Sequence, residues 1–146
     1  MENRKALVVD DEFHIVQVVA IKLKNNGFDV VTAENGSDGY DLASETLPDI
    51  IISDYQMPIM NGVEATSLIV AQNPATRVIA LTATGQDAGA INMLKAGAYS
   101  YLIKRTQDSN LVKAIRAVHR GEAVIDSQVT AQMLDEFRRI SIQKRK

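Results

Sequence analysis

Ile50-Ile51-Ile52-Ser53-Asp54-Tyr55-Gln56-Met57-Pro58-Ile59-Met60-Asn61-Gly62 is the stretch on which the architecture turns. Three consecutive isoleucines do not alternate inside and outside as a half-exposed strand does. A continuous β-branched run suits a strand buried on both faces, as in parallel sheets. The run ends in a lone carboxylate, Asp54, and the chain then breaks at Met57-Pro58 and again at Asn61-Gly62. A buried strand that delivers one acid to its end, where the backbone turns away, presents that acid to something.

The same pattern recurs on either side. Residues 6–9 and 78–81 are also continuous apolar runs, while 29–33 and 99–103 are rich in β-branched or aromatic residues. Helical segments lie between them. Val16, Val19, Ala20 and Leu23 repeat at helical spacing, and Asn25-Asn26-Gly27 supplies a stop. A second helix is predicted over 37–46 with Pro48 at its exit, and a third over 62–73, ending before Pro74. A fourth spans 87–95 with Gly97 as its C-cap; Leu111, Ala114, Ile115 and Val118 stripe a fifth, closed by Gly121. Five strands alternating with five helices predict an α/β fold, a doubly wound five-stranded parallel sheet with right-handed crossovers. Beyond Gly121 the alternation stops. Asp126 or Ser127 caps an extra C-terminal helix with Val129, Met133, Phe137 and Ile140 along one side, read as an appendage because no strand follows.

The bulk numbers narrow the function classes. At 146 residues, 46% apolar and 23% charged, the chain reads as one ordinary globular domain. The absence of cysteine excludes disulfides, thiolate metal sites and cysteine nucleophiles. His14 and His119, far apart, read as helix-face residues without chemistry. The N-terminal apolar run is too short for a secretory segment or a membrane span, so a cytoplasmic protein with no membrane partner is expected. A formal net charge of −2 gives no bulk attraction to nucleic acid, and the basic end (Arg138, Arg139, Lys144, Arg145, Lys146) reads as a solvated linker.

Ligands of open parallel sheets bind outside the C-terminal ends of the strands, where strand order reverses. Those ends are Asp10-Asp11-Glu12, Asp54, Thr82 and Lys104, with an unremarkable Ala33-Glu34 after the second strand. In a flavodoxin-like order 2-1-3-4-5 they line up along one edge, adjacent strands about 4.8 Å apart. Three carboxylates then share a crevice with a hydroxyl and an ammonium. Crowded carboxylates stay ionised only if something positive compensates. Lys104 can neutralise one, and a hard cation such as Mg²⁺ suits the others, keeping waters and phosphate oxygens in its remaining positions. Metal, ammonium and hydroxyl together can hold a phosphoryl group while a carboxylate attacks in line. Asp54 is therefore read as a nucleophile whose product is an aspartyl-phosphate.

These residues, taken in order, strongly resemble the receiver domain of two-component response regulators over about residues 3–121. The acidic pair is similar to Asp10 and Asp11, and the phospho-acceptor to Asp54 in the Asp-x-x-Met-Pro-x-x-Asn-Gly pattern ending at Gly62. The switch hydroxyl resembles Thr82, followed by Ala83; the lysine resembles Lys104, and the switch aromatic, three places earlier, Tyr101. The resemblance implies Mg²⁺ held by Asp11, Asp54 and the backbone carbonyl of Gln56, with Asp10 acting mainly through water. It implies Lys104 and Thr82 on phosphoryl oxygens, Tyr101 following Thr82 inward, and a sensor histidine kinase as phosphoryl donor. Gln56 and Thr84 are read as tuning dephosphorylation. Arg105 stands where many receivers have proline, so no cis peptide is expected there.

The stretches 96–104 and 114–122 look most like the NarL/LuxR-type subfamily, in which a linker helix leads to a DNA-binding domain. The implied organisation is a receiver at 3–121 and a C-terminal linker helix and basic tail at 122–146. Two alternatives stay open: a receiver fragment of a transcription regulator, or a stand-alone receiver acting by protein–protein interaction or phosphorelay. The fourth-to-fifth-helix face and the C-terminal helix are both candidate homodimer surfaces. An enzyme is not expected, beyond self-catalysed phosphorylation and dephosphorylation. A phosphohydrolase with an Asp nucleophile needs a second carboxylate two residues on, where Gln56 stands. A flavin phosphate would meet three carboxylates and no glycine-rich cradle. Direct DNA binding by this chain lacks a helix-turn-helix, so DNA is expected only through an output domain absent from the sequence.

Overall fold

The structure is a computed structural model that describes residues 4–54, 62–82, 89–103, 110–123 and 127–144. Five strands, β1 (Arg4–Val9), β2 (Phe28–Ala33), β3 (Ile50–Asp54), β4 (Arg77–Thr82) and β5 (Ser100–Ile103), form one sheet. All its pairings are parallel and its order is β2-β1-β3-β4-β5, as the alternation predicts. The helices are α1 (Phe13–Lys24), α2 (Gly36–Thr46), α3 (Gly62–Gln72), α4 (Gly89–Ala96), α5 (Asn110–His119) and α6 (Ser127–Lys144). Each sequence-predicted element is found, with ends displaced by a residue or two. Asn35 rather than Ser37 opens α2, because its side chain accepts the Asp38 N–H at 2.8 Å. The expected start of α4 at Asp87 lies outside the described residues.

Both faces of the sheet are covered, and for that reason its central strands β1, β3 and β4 carry apolar runs without alternation. Ala6, Val8, Ile50, Ile52, Ile79 and Leu81 face α1 and α5, meeting Val16, Val19, Leu23, Leu111, Ile115 and Val118. Leu7, Val9, Ile51 and Val78 face the other way, onto Ala43 of α2 and Ala65 and Ile69 of α3. Ile50, Ile51 and Ile52 are at most 1% exposed. Burial of each is worth roughly 1.5–3 kcal/mol, so this strand anchors both layers at once.

Two contacts hold helices at fixed distances from the sheet. Gly39 lets α2 approach β1 closely: a Cβ there would meet Val9 Cγ2 at 2.9 Å and Cγ1 at 3.0 Å. At the other end of the sheet Arg77 Nη1 donates to the carbonyls of Val118 (2.8 Å) and His119 (2.9 Å), capping α5. The same guanidinium lies 5.1 Å from the Tyr99 ring centre, and the Tyr99 hydroxyl donates to the Gly121 carbonyl just past the helix. Gly121 adopts φ +97° there, the left-handed conformation that closes α5 as predicted.

Replacing glycine by alanine in a helix ordinarily stabilises by about 1 kcal/mol. Gly39→Ala is expected to do the opposite, losing about 1–2 kcal/mol in urea unfolding, because Val9 is a stiff buried side chain. Arg77→Met keeps much of the apolar stem but strands two carbonyls. A loss of about 1–3 kcal/mol is expected, and an unchanged unfolding midpoint would show that water replaces the cap.

Candidate functional site at the C-terminal sheet edge

Register decides which strand-end residues meet. Val9 is level with Ser53, Ser53 with Ala80, and Ala80 with Tyr101. The next position along brings Asp10 beside Asp54, on neighbouring strands about 4.8 Å apart. Asp54 is the last residue of β3 and is 6% exposed, while Asp10 is 1% exposed. Thr82 closes β4 opposite Ile103, and Lys104 follows Ile103 in the chain. Lys104, Gln56 and Thr84 lie outside the described residues.

The turn from β1 into α1 is built around Asp10. Its N–H donates to the Ala33 carbonyl at 3.2 Å, extending the β1–β2 ladder by one residue. Its Oδ1 accepts the Glu12 N–H at 2.9 Å, which fixes the carboxylate's orientation. The N-cap of α1 is Glu12, without a side-chain cap bond, so Asp10 orders the turn and does not cap the helix. Carboxylate oxygens of Asp10, Asp11 and Glu12 lie within 4.8 Å of one another, Asp10 buried and the other two exposed. Sequence reading put Asp10 and Asp11 among the site residues and left Glu12 out, although it completes the same acidic run. Among the described residues Asp54 is not a member of that three-carboxylate group; it stands one strand away.

The donor chemistry fits a hard divalent cation. The cluster offers only carboxylate oxygens, and the chain has no thiol. His14 is exposed on α1. His119 sits at the opposite edge of the sheet, near Arg4 and Arg77 at strand starts. Burial first and then Arg4 push its pKa below the ordinary histidine value; Asp49 pulls the other way, and Arg77 adds a smaller push downward. It belongs to the sheet's other end.

Tyr101 is fully buried. It clusters with Ala80 of β4, Met93 of α4 and Ala98, and partly buried Val63, Leu94 and Met133 pack around them. Thr66 of α3 donates to the Met93 sulfur at 3.9 Å, tying α3 to the same cluster. Met133 belongs to α6, so the extra helix is no free appendage: it leans on α4. Periodicity could show that α6 has an apolar side but not which neighbour it would meet.

Similarity to known proteins agrees with this geometry. LnrK, a transcriptional regulatory protein of Bacillus subtilis (strain 168), is 36% identical over 137 residues, covering 92% of this chain and 62% of that protein. DegU, a transcriptional regulatory protein of Brevibacillus brevis, is 32% identical over 142 residues, covering 95% and 60%. The chain thus spans about three fifths of the length of the curated relatives it matches. A LuxR-family two-component response regulator from Aurantimonas sp. SI85-9A1 superposes with a TM-score of 0.82 at 27% identity, covering 92% of this chain and 98% of that one. The chemotaxis protein CheY4 of Vibrio cholerae superposes at 0.75 with 30% identity, covering 80% and 99%. Residues 6–116 match the family described as response regulator receiver domain, and the chain belongs to that family.

Proposed function

We propose that this receiver accepts a phosphoryl group on Asp54 from a phosphohistidine of a sensor histidine kinase, in the cytoplasm. The observation that carries the reading is a buried carboxylate ending β3, one strand from a second buried carboxylate that begins an acidic cluster. An Asp54 carboxylate oxygen attacks phosphorus in line. A P–O bond forms as the P–N bond to the donor imidazole breaks, and the imidazole nitrogen leaves with its electron pair. Asp11, Asp54 and the Gln56 backbone carbonyl would hold Mg²⁺, with Asp10 acting mainly through water and Glu12 adding charge at the rim. Bound there, the ion would neutralise charge on the phosphoryl oxygens.

The chain's own residues do the rest. Asp10, oriented by the Glu12 N–H, keeps the acidic corner in register with Asp54. Lys104 takes one phosphoryl oxygen and Thr82 another, and Tyr101 holds the inward place it already occupies. Hydrolysis reverses the modification: water attacks phosphorus and the acyl P–O bond breaks, restoring the carboxylate, with Gln56 and Thr84 setting water's access. The receiver unit is 3–121, and 122–146 is its linker helix and tail. Its output is control of transcription through a DNA-binding segment outside this sequence, since LnrK and DegU are transcriptional regulatory proteins. A stand-alone receiver acting on other proteins is the alternative.

Incubation with a small phosphodonor, read by intact mass, tests the chemistry. One phosphoryl group is expected on the wild type with Mg²⁺, almost none after chelation, and none on Asp54→Asn. Labelling that persists in Asp54→Asn would move the acceptor elsewhere and overturn the reading.

A further inference from the structure

Exposed apolar surface on this chain is concentrated on α6. Among the described residues eight large apolar side chains are exposed, and four of them, Leu134, Phe137, Ile140 and Ile142, lie within nine residues of that helix. Phe137 is 69% exposed and Leu134 49%. At 3.6 residues per turn, Leu134, Phe137 and Ser141 fall in one line, with Met133 and Ile140 along one margin and Ala131 and Arg138 along the other. Steps of three and four residues are those of a seam between two helices. The acids Asp135 and Glu136 fall off the line. Met133 and Glu136 meet α4, so the line runs beside that contact. A contiguous apolar patch of this kind on a soluble domain marks a surface that something covers.

The line is complementary to itself when a second copy is laid across it antiparallel. With a two-fold axis midway between positions 134 and 137, Leu134 meets the partner's Phe137, and position 130 meets the partner's Ser141. The margins fit as well. Ile140 meets the partner's Met133, apolar on apolar, and Ala131 meets the partner's Arg138, whose stem covers the small side chain while its head stays in water. A parallel pair would press each Arg138 against the apolar Met133 margin of the other copy, desolvating two charges. Size sets the strength. The helix has 18 residues, about 27 Å of length, and two such helices in contact bury on the order of 1,000 Å² in total. That is the lower limit for a specific interface, which corresponds to a dissociation constant on the order of 100 μM.

We propose that two copies of this chain form a two-fold dimer by antiparallel pairing of α6 with α6, centred on Leu134 and Phe137. The inference does not rest on the proposed function, because it needs no phosphoryl group. The contact uses the same patch on both copies, so it closes at two and does not propagate. It leaves the Lys95–Glu136 pair of each copy in place.

Sedimentation velocity of the full chain, up to about 500 μM, tests the pairing, since that range brackets the expected constant. Wild type is expected to pass from monomer to dimer, and Phe137→Glu to weaken the dimer at least about tenfold. Phe137 is exposed, so the substitution leaves the monomer folded. Lys113→Glu, at an exposed site on α5, is expected to dimerise as wild type does. Orientation is read separately by cross-linking, because the chain has no cysteine of its own. Under mild oxidation a mixture of Thr130→Cys and Ser141→Cys is expected to form the mixed disulfide faster than either variant bridges to itself. Wild type that stays monomeric throughout overturns the dimer and leaves the patch to another occupant, such as a further segment of a longer chain. Phe137→Glu that dimerises like wild type, or species larger than a dimer, overturns the α6 interface. Ser141→Cys that bridges to itself as fast as the mixture does overturns the antiparallel pairing.

Discussion

Parallel pairing in register is the constraint from which the site follows. Because β1, β3, β4 and β5 run the same way and pair residue for residue, their C-terminal ends form one edge. Whatever residue comes next on each strand is delivered there. Helices on both faces require the strand interiors to be apolar, so the edge is where charge can be concentrated without unfolding the core. Two acids at that edge, Asp10 and Asp54, are nonetheless buried. Burying like charges side by side is unfavourable unless a cation or donor groups compensate. The arrangement makes sense as a seat for positive charge.

The two ends of the sheet divide their labour. Strand starts carry Arg4 and Arg77, with Asp49 just before β3 and His119 nearby. Arg77 spends its charge on the last carbonyls of α5 and its flat face on Tyr99, which is structural work. Strand ends carry the acids. Arg4 and Arg77, at the opposite edge, do not neutralise the acids of the strand ends.

Tyr101 belongs to neither end alone. The smallest of the three core clusters among the described residues, Ala80 with Met93, Ala98 and Tyr101, borders the ends of β4 and β5, α4 and α6 together. A bulky side chain in that place transmits displacement, because close-packed interiors deform by discrete repacking and not by gradual yielding. The C-terminal helix thus packs on α4 and on the Tyr101 cluster.

The architecture, and the delivery of Asp10 and Asp54 to one sheet edge, were legible in the residues because both are locally encoded. Ile50, Ile51 and Ile52 announce a strand buried on two faces, Gly97 and Gly121 end helices, and an Asp just after such a run must emerge at an edge. Tertiary structure alone decided what depends on distant segments meeting. It set Asp10 beside Asp54 on the neighbouring strand and joined Lys95 to Glu136 across 41 residues. It also chose which part of α6 is covered: Met133 rests on the Tyr101 cluster while Phe137, on the same predicted stripe, stays in solvent. Periodicity reports that a helix has an apolar side. Which neighbour that side meets is set by small differences among weak long-range contacts, and these leave no period in the sequence.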